Sequence, residues 1–466
     1  MSRLERPSPV AGRRSARSAR RGPGPALVLA VVVPVVALAA ALMVRPETST
    51  VATRPATRTP LSVASLSCPG AQSPTTAVSV SSLADDMGAG AVSAGPARQP
   101  LDVRPGRVTP AGATGAATVL TGTGRLAPAL LATRSVADPL AAVTCRPATS
   151  DQWFTGVGAG AEHRSVLELV NPDTGPGVAD VTVYAPTGLL DTPALRGVAV
   201  AAGQSTRFDL SDVVPRRGEL TVRVQTSRGR LGASVLDVTE ELGGGAVTTD
   251  WLPPQDAPAL ENTLVGLTRG TGARRLAVGN ASDDEVRVSV EVITPRTVFS
   301  PEGLDPFRVP PQSTVGVSLD DLLDEATRRG ALGLRVTATG PVTIGLRQAT
   351  PDLSVLAPVP AVTTSTGVVL PPGKARLQLA GVDAAGTVTV TASDADGTEL
   401  ARTQVELAPG TADSSALPRG TALVTVVPDG IAVRGSVVVL DPGATVLGLG
   451  PLARTSEVAD VRPGLP

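Results

Sequence analysis

Two regularities in the order of apolar and polar residues organise this chain. The first is an apolar run of 19 residues, Ala26 to Val44 (ALVLAVVVPVVALAAALMV), with no ionisable side chain. A helix needs roughly 20 such residues to cross the hydrocarbon core, so the run predicts a transmembrane helix. Pro34 is compatible with this, because membrane helices tolerate proline when a neighbour satisfies the freed carbonyl. The second is strict period-two alternation in short stretches that recur about every 100 residues, which implies one structural unit used several times.

Three passages align. Each opens with a basic-flanked alternating strand, at Arg164 to Val170, Arg274 to Val278 and Lys374 to Leu379. A second follows at Asp180 to Tyr184, Glu285 to Val292 and Thr387 to Thr391, after turn clusters such as Asn171-Pro172-Asp173-Thr174-Gly175. Each unit then runs through a Pro/Gly turn and a connector ending in Arg217-Gly218, Arg329-Gly330 or Arg419-Gly420, and closes with a strand at Leu231 to Leu236, Val342 to Leu346 or Ile431 to Leu440. Short strands at this density predict β-sandwiches of immunoglobulin-like build. The connector of the middle unit is the one clear helix. Ser318 and Asp321 form a capping box, Leu319, Leu322, Leu323 and Ala326 its apolar face, and Gly330 its end. Pro215 cuts the matching turn short in the first unit, and Ser414 to Pro418 leaves only a bend in the third.

The expected fold class is therefore all-β, with an N-terminal transmembrane helix followed by tandem immunoglobulin-like sandwich repeats. The expected layout is a basic cytoplasmic tail (1–25), the transmembrane signal anchor (26–44), a Pro/Thr-rich spacer (45–60), a β-rich first external domain (61–150), and three sandwich repeats (151–257, 258–362 and 363–466, the last with a C-terminal tail). In 61–148 the pattern is faint, with candidate strands at Ala77 to Ser81, Leu101 to Val108, Ala117 to Leu120 and Leu126 to Ala132.

Charge gives the apolar run a direction. Arg3, Arg6, Arg13, Arg14, Arg17, Arg20 and Arg21 precede it against the single acid Glu5. Of these, Arg13, Arg14, Arg17, Arg20 and Arg21 are the topology-determining group, holding the N-terminus in the cytoplasm by the positive-inside rule. The expectation is a single-pass protein of the cell membrane with its bulk extracytoplasmic and anionic inner-leaflet lipids touching the tail. A small-x-small pattern at Ala39 and Ala41 opens the alternative of a cleaved signal peptide; retention is favoured because the run continues through Leu42 to Val44. The whole chain nets −1 and the tail +6 (seven arginines less one glutamate), leaving −7 for the remainder. A mildly acidic ectodomain has no field for phosphate backbones, so nucleic acid is excluded as a partner.

Seven aromatic residues (four Phe, two Trp, one Tyr) leave little for the stacking platforms of sugar sites. Arginine is abundant and Lys374 is the only lysine, a usage typical of a GC-rich genome. Cys68 and Cys145 are the only cysteines, and an even pair in an exported chain predicts a disulfide stapling the first external domain; two buried free thiols are the alternative.

No catalytic, cofactor or metal site is expected. The single histidine, His163, lies two residues from Ser165, but no Gly-x-Ser-x-Gly elbow surrounds that serine, and an exposed turn histidine is the simpler reading. One histidine and two bridged cysteines cannot hold zinc. Asp394-Ala395-Asp396-Gly397 resembles the start of a calcium loop but lacks its further oxygens, so a hairpin turn is expected. Asp320, Asp321, Asp324 and Glu325 read as a solvated helix face. Gly156-Val157-Gly158-Ala159-Gly160 and Gly373-Lys374 lack the spacing of a phosphate cradle. Trp153 and Trp251 are read as core or interdomain packing.

The basic tail and apolar run, Cys145-Arg146-Pro147, Trp153-Phe154-Thr155-Gly156 and Leu169-Val170-Asn171-Pro172-Asp173 together resemble an actinobacterial family of uncharacterised exported proteins, a domain of unknown function, over most of the chain after Val44. The resemblance implies location and lineage, with a lead toward the envelope polysaccharide machinery. The expected function is that of a non-enzymatic, membrane-tethered scaffold or interaction protein of the cell envelope, whose partners are the cytoplasmic membrane and other envelope proteins, with no small-molecule cofactor. A module binding wall polysaccharide or glycan is the alternative, and an enzyme ranks last.

Overall fold

The computed structural model describes residues 25–43, 57–71, 73–84, 90–112, 115–240, 247–350, 352–441 and 443–458. The arginines of the tail, including Arg13, Arg14, Arg17, Arg20 and Arg21, lie outside the described residues, as do Val44 and most of the spacer. The chain forms two compact units: residues 58–458, and the terminal segments 1–57 and 459–466.

In the second of these, Pro25–Met43 is an α-helix with Pro34 inside it. Among the described residues, however, no helix is long and apolar enough to cross a membrane. The expected transmembrane anchor over Ala26 to Val44 is corrected accordingly.

In residues 58–458 the alternating stretches become antiparallel strands. Every second side chain of Gly177–Ala185 and Val286–Ile293 enters a core while most of its neighbours stay partly outside. The strands fall into four blades, running from Val63–Cys68 to Leu140–Thr144, from Asp151–Ala159 to Val247–Leu252, from Ala259–Val265 to Leu353–Leu356, and from Thr366–Val369 to Ala444–Gly448. Each blade has two layers with one strand order throughout. Numbered along the chain within a blade, one layer runs 4-3-6-1 and the other 5-2-7-8, with the fourth strand split in two in the second blade (Gly188–Leu190 and Val198–Val200) and in the third (Val298–Phe299 and Phe307–Val309). In the third blade the sixth and seventh strands are the single long strand Gly333–Ala349, which passes through both layers. The faint region after residue 60 is thus a fourth copy of the unit. A core fills the space between the layers of each blade, built around Leu120, Leu167, Leu276 and Leu377 in turn.

The blades are not beads. The first layer of the second, third and fourth blades packs on the second layer of the blade that follows, the fourth returning to the first. Between the first blade and the second, the Gly70 amide donates to Glu168 at 2.6 Å, and Ser67 lies against Gly232. The four eighth strands, Leu140–Thr144, Val247–Leu252, Leu353–Leu356 and Ala444–Gly448, touch in a closed cycle at the centre. The expectation of tandem immunoglobulin-like sandwiches is therefore overturned: the blades close into a four-bladed, propeller-like ring. The reason lies in those central strands, which follow the strands read as closing each unit. Leu140–Thr144 and Leu353–Leu356 are buried along almost their whole length, so they carry no alternation to mark them as strands.

The ring is clasped by its ends. Thr57–Pro60 pairs with Thr455–Val458, and the amides of Leu61 and Ala129 donate to the carbonyls of Arg454 and Ala453, both at 3.0 Å. The connector helix of the third blade spans Asp320–Arg328. Its N-cap is Leu319 instead of Ser318, whose hydroxyl bonds Asp320 Oδ2 at 2.8 Å, and Gly330 follows its end at φ +95°.

Candidate binding site at the ring axis

Each central strand leaves the core of the ring through prolines, at Pro147, Pro253-Pro254, Pro358 with Pro360, and Pro451. Proline carries no amide hydrogen and cannot continue a ladder, so the four strands end together and diverge. The divergence opens a recess of about 290 Å³ at one end of the axis, lined from all four blades. Leu66, Leu130 and Val143 come from the first blade, Val355 and Val359 from the third, and Leu447 from the fourth; among the described residues no aromatic side chain lines it. Its mouth carries one ion pair, Arg146 Nη2 to Asp256 Oδ1 at 2.8 Å, and Arg146 Nη1 also donates to the Pro254 carbonyl at 3.1 Å.

A polar knot ties the central strands together. Asp250, wholly buried on the second central strand, accepts from the Val355 amide through Oδ2 at 3.1 Å. Its Oδ1 lies 3.0 Å from the Thr445 hydroxyl and 3.4 Å from the Ala142 amide, so one carboxyl joins all four central strands. Burial pushes this carboxyl well above the usual carboxylate range, outweighing the hydrogen bonds that favour its charged form.

His163 and Ser165 do meet an acid, which the sequence reading did not anticipate. Asp237 Oδ1 accepts from Ser165 Oγ at 2.6 Å and contacts His163 Nε2 at 2.8 Å, while Oδ2 accepts from Arg347 Nε of the next blade at 2.6 Å. Asp237 is 1 % exposed, yet the cations beside it and its hydrogen bonds lower its carboxyl to about 2 against its own burial. His163 is not the exposed turn residue expected; it begins the strand His163–Val170 and is largely buried. The order is still wrong for nucleophilic catalysis. Serine and histidine address the same carboxylate instead of each other, and Ser165 is fully buried. The cluster is an inter-blade tie.

The remaining candidates resolve into packing. Cys68 and Cys145 are bonded and join the two layers of the first blade, with Cα atoms 4.5 Å apart, and Cys145 also lines the recess. Asp394 caps its own hairpin by accepting from the Thr398 amide at 2.8 Å, and Asp396 pairs with Arg107 of the first blade at 2.6 Å. Among the described residues no group of three or more His, Cys, Asp or Glu could hold a metal ion. The acidic helix face is not simply solvated: Asp324 pairs with the fully buried Arg274, and Asp320 Oδ1 accepts from the Arg274 amide at 2.6 Å. A side chain at Gly158 would strike the His163 ring, which explains that glycine without a phosphate. Trp251 is buried against Val136 and Ala141 of the first blade, and Trp153 stacks on Tyr184 at 6.0 Å with Arg223 over its ring at 4.8 Å.

Sequence reasoning missed Asp237, Asp250, Arg347 and the recess. The signal available for the recess was the proline at the end of each unit, in register with the others.

The chain matches a family of unknown function (DUF5719) over residues 108–418, from the first blade into the fourth. No curated protein matches it.

Proposed function

Because the chain belongs to the DUF5719 family, whose function is unknown, we propose its role from the ring itself: a non-enzymatic scaffold of the bacterial cell envelope that binds its partners at the axial recess. One observation carries this reading, the convergence of all four blades on a single apolar recess with a charged rim. Concave, largely apolar sites with a few polar groups are where proteins bind ligands, and in propeller-like folds the axis is the natural place for one. An oxidising, extracytoplasmic location is supported by the Cys68–Cys145 bond. The actinobacterial lineage is supported by the usage of arginine over lysine. Binding of wall polysaccharide has less behind it, since Trp153 and Tyr184 are buried and offer no open stacking face.

The test is photo-crosslinking in the native cell from Thr149, exposed at the mouth, compared with Leu400, exposed on the fourth blade. A recurrent protein adduct from Thr149 and not from Leu400 is expected. No adduct, or the same adducts from both positions, removes the proposal.

A further inference from the structure

We propose that the axial recess binds one aliphatic chain carrying an anionic head, with the chain among Leu66, Leu130, Val143, Val355 and Leu447 and the head on Arg146. This rests on the reading of the recess as the contact site of the ring and names the chemistry it takes.

The lining selects the ligand first. Among the described residues it is mainly aliphatic and without aromatic side chains, so a sugar face or a nucleobase finds nothing to stack on. The prolines at the four strand ends remove amide donors that a polar ligand would need, and the Pro254 carbonyl is already taken by Arg146. A concave site with mostly apolar walls favours an apolar group over water. At roughly 30 Å³ for each water-sized group, the volume of about 290 Å³ accepts a chain of about ten heavy atoms.

The rim selects the head. Among the described residues Arg146 is the one cation lining the recess, and its side chain is 38 % exposed beside an Asp256 side chain that is 65 % exposed. An ion pair this open is weak, so a carboxylate or phosphate can displace Asp256 from the guanidinium. The guanidinium fork then holds either anion through two parallel hydrogen bonds. A fatty acyl chain and a prenyl phosphate share this chemistry, and the two are separated by experiment.

The full-length protein is titrated calorimetrically with octanoate, nonanoate, decanoate, decan-1-ol and geranyl monophosphate, each below its micelle concentration. Saturable binding of one ligand per chain is expected, tightening about fourfold for each added methylene. Tighter binding of geranyl monophosphate than of decanoate marks a prenyl source, and the reverse an acyl one. Arg146→Ala is expected to weaken both anions about tenfold and leave decan-1-ol unchanged. Ala64→Trp, which fills the recess from its half-buried edge, abolishes binding; Thr149→Trp, exposed at the mouth, serves if the first variant does not fold. Absence of saturable binding to the wild type, or binding that survives a folded recess-filling variant, overturns the inference. Crosslinks to a protein partner from Thr149 in that event leave the scaffold reading standing, whereas aliphatic binding without any such partner leaves this inference standing alone.

Discussion

Asp237→Asn is the substitution that most directly tests what holds the ring closed. The carboxylate ties His163 and Ser165 of its own blade to Arg347 of the next, through contacts of 2.6 to 2.8 Å in a site with almost no solvent access. Lowering its carboxyl from the ordinary 3.8 to about 2 is equivalent to roughly 2 kcal/mol of folding stability at neutral pH. The sign follows from the lowered value. That stability is fully present above the unfolded-state value near 4 and is lost as pH falls through about 2. Asparagine loses more than the ionisation, because it leaves the Arg347 guanidinium, 15 % exposed, without a counter-charge. Breaking a buried pair from one side costs about 3–5 kcal/mol. The assay is urea unfolding followed by tryptophan fluorescence, suited to a chain whose only tryptophans, Trp153 and Trp251, are both buried in the second blade. The variant is expected to lie about 3–5 kcal/mol below wild type at pH 7, and the gap is expected to narrow by roughly 2 kcal/mol at pH 2. A loss under 1 kcal/mol at pH 7, or a gap that does not change with pH, refutes the reasoning.

Three further expectations follow from the same geometry. Asp250 titrates in the opposite sense: its carboxyl is raised by burial, so its contribution is greatest below pH about 4 and is lost as pH rises toward the folded-state value. Asp250→Asn mimics the neutral acid and should therefore gain on wild type between pH 4 and pH 8 in thermal unfolding; a constant difference counts against the assignment. Reducing the Cys68–Cys145 bond, which closes a loop of sequence separation 77, should lower stability by about 4 kcal/mol in denaturant titrations with and without reductant, and an unchanged midpoint would refute the staple. Gly345→Ala places a Cβ 1.9 Å from the Thr155 carbonyl oxygen across the interface of the second and third blades. It should cost roughly 3 kcal/mol or more, and a folded variant of unchanged melting temperature would show that the blades do not approach as described.

Much of the local structure was legible in the sequence. The period-two runs at Val286–Ile293 and Gly177–Ala185 are strands, the turn at Asp394 to Thr398 is a hairpin, and the connector Asp320–Arg328 is a helix ended by Gly330. These are local matters: alternation reports which face is buried, and turn residues report where the chain reverses. The basic residues at the repeat openings were also visible, though not their partners. Arg164 meets Asp209, Arg274 meets Asp324 and Lys374 meets Asp441, each from a segment distant in the chain.

What the sequence determined by itself was the content of each unit: the strand-forming pattern, its recurrence, and a pair of cysteines in one copy. What only the tertiary structure decided was closure. A strand buried on every side shows no periodicity, so the central strands Leu140–Thr144, Leu353–Leu356 and Ala444–Gly448 were silent in the sequence although they help to place the axis. Asp250 and Asp237 are single acids among many until folding removes them from water and surrounds them with groups from other strands and blades. The recess exists only because four proline-ended strands, each about a hundred residues from the next, finish at the same point in space.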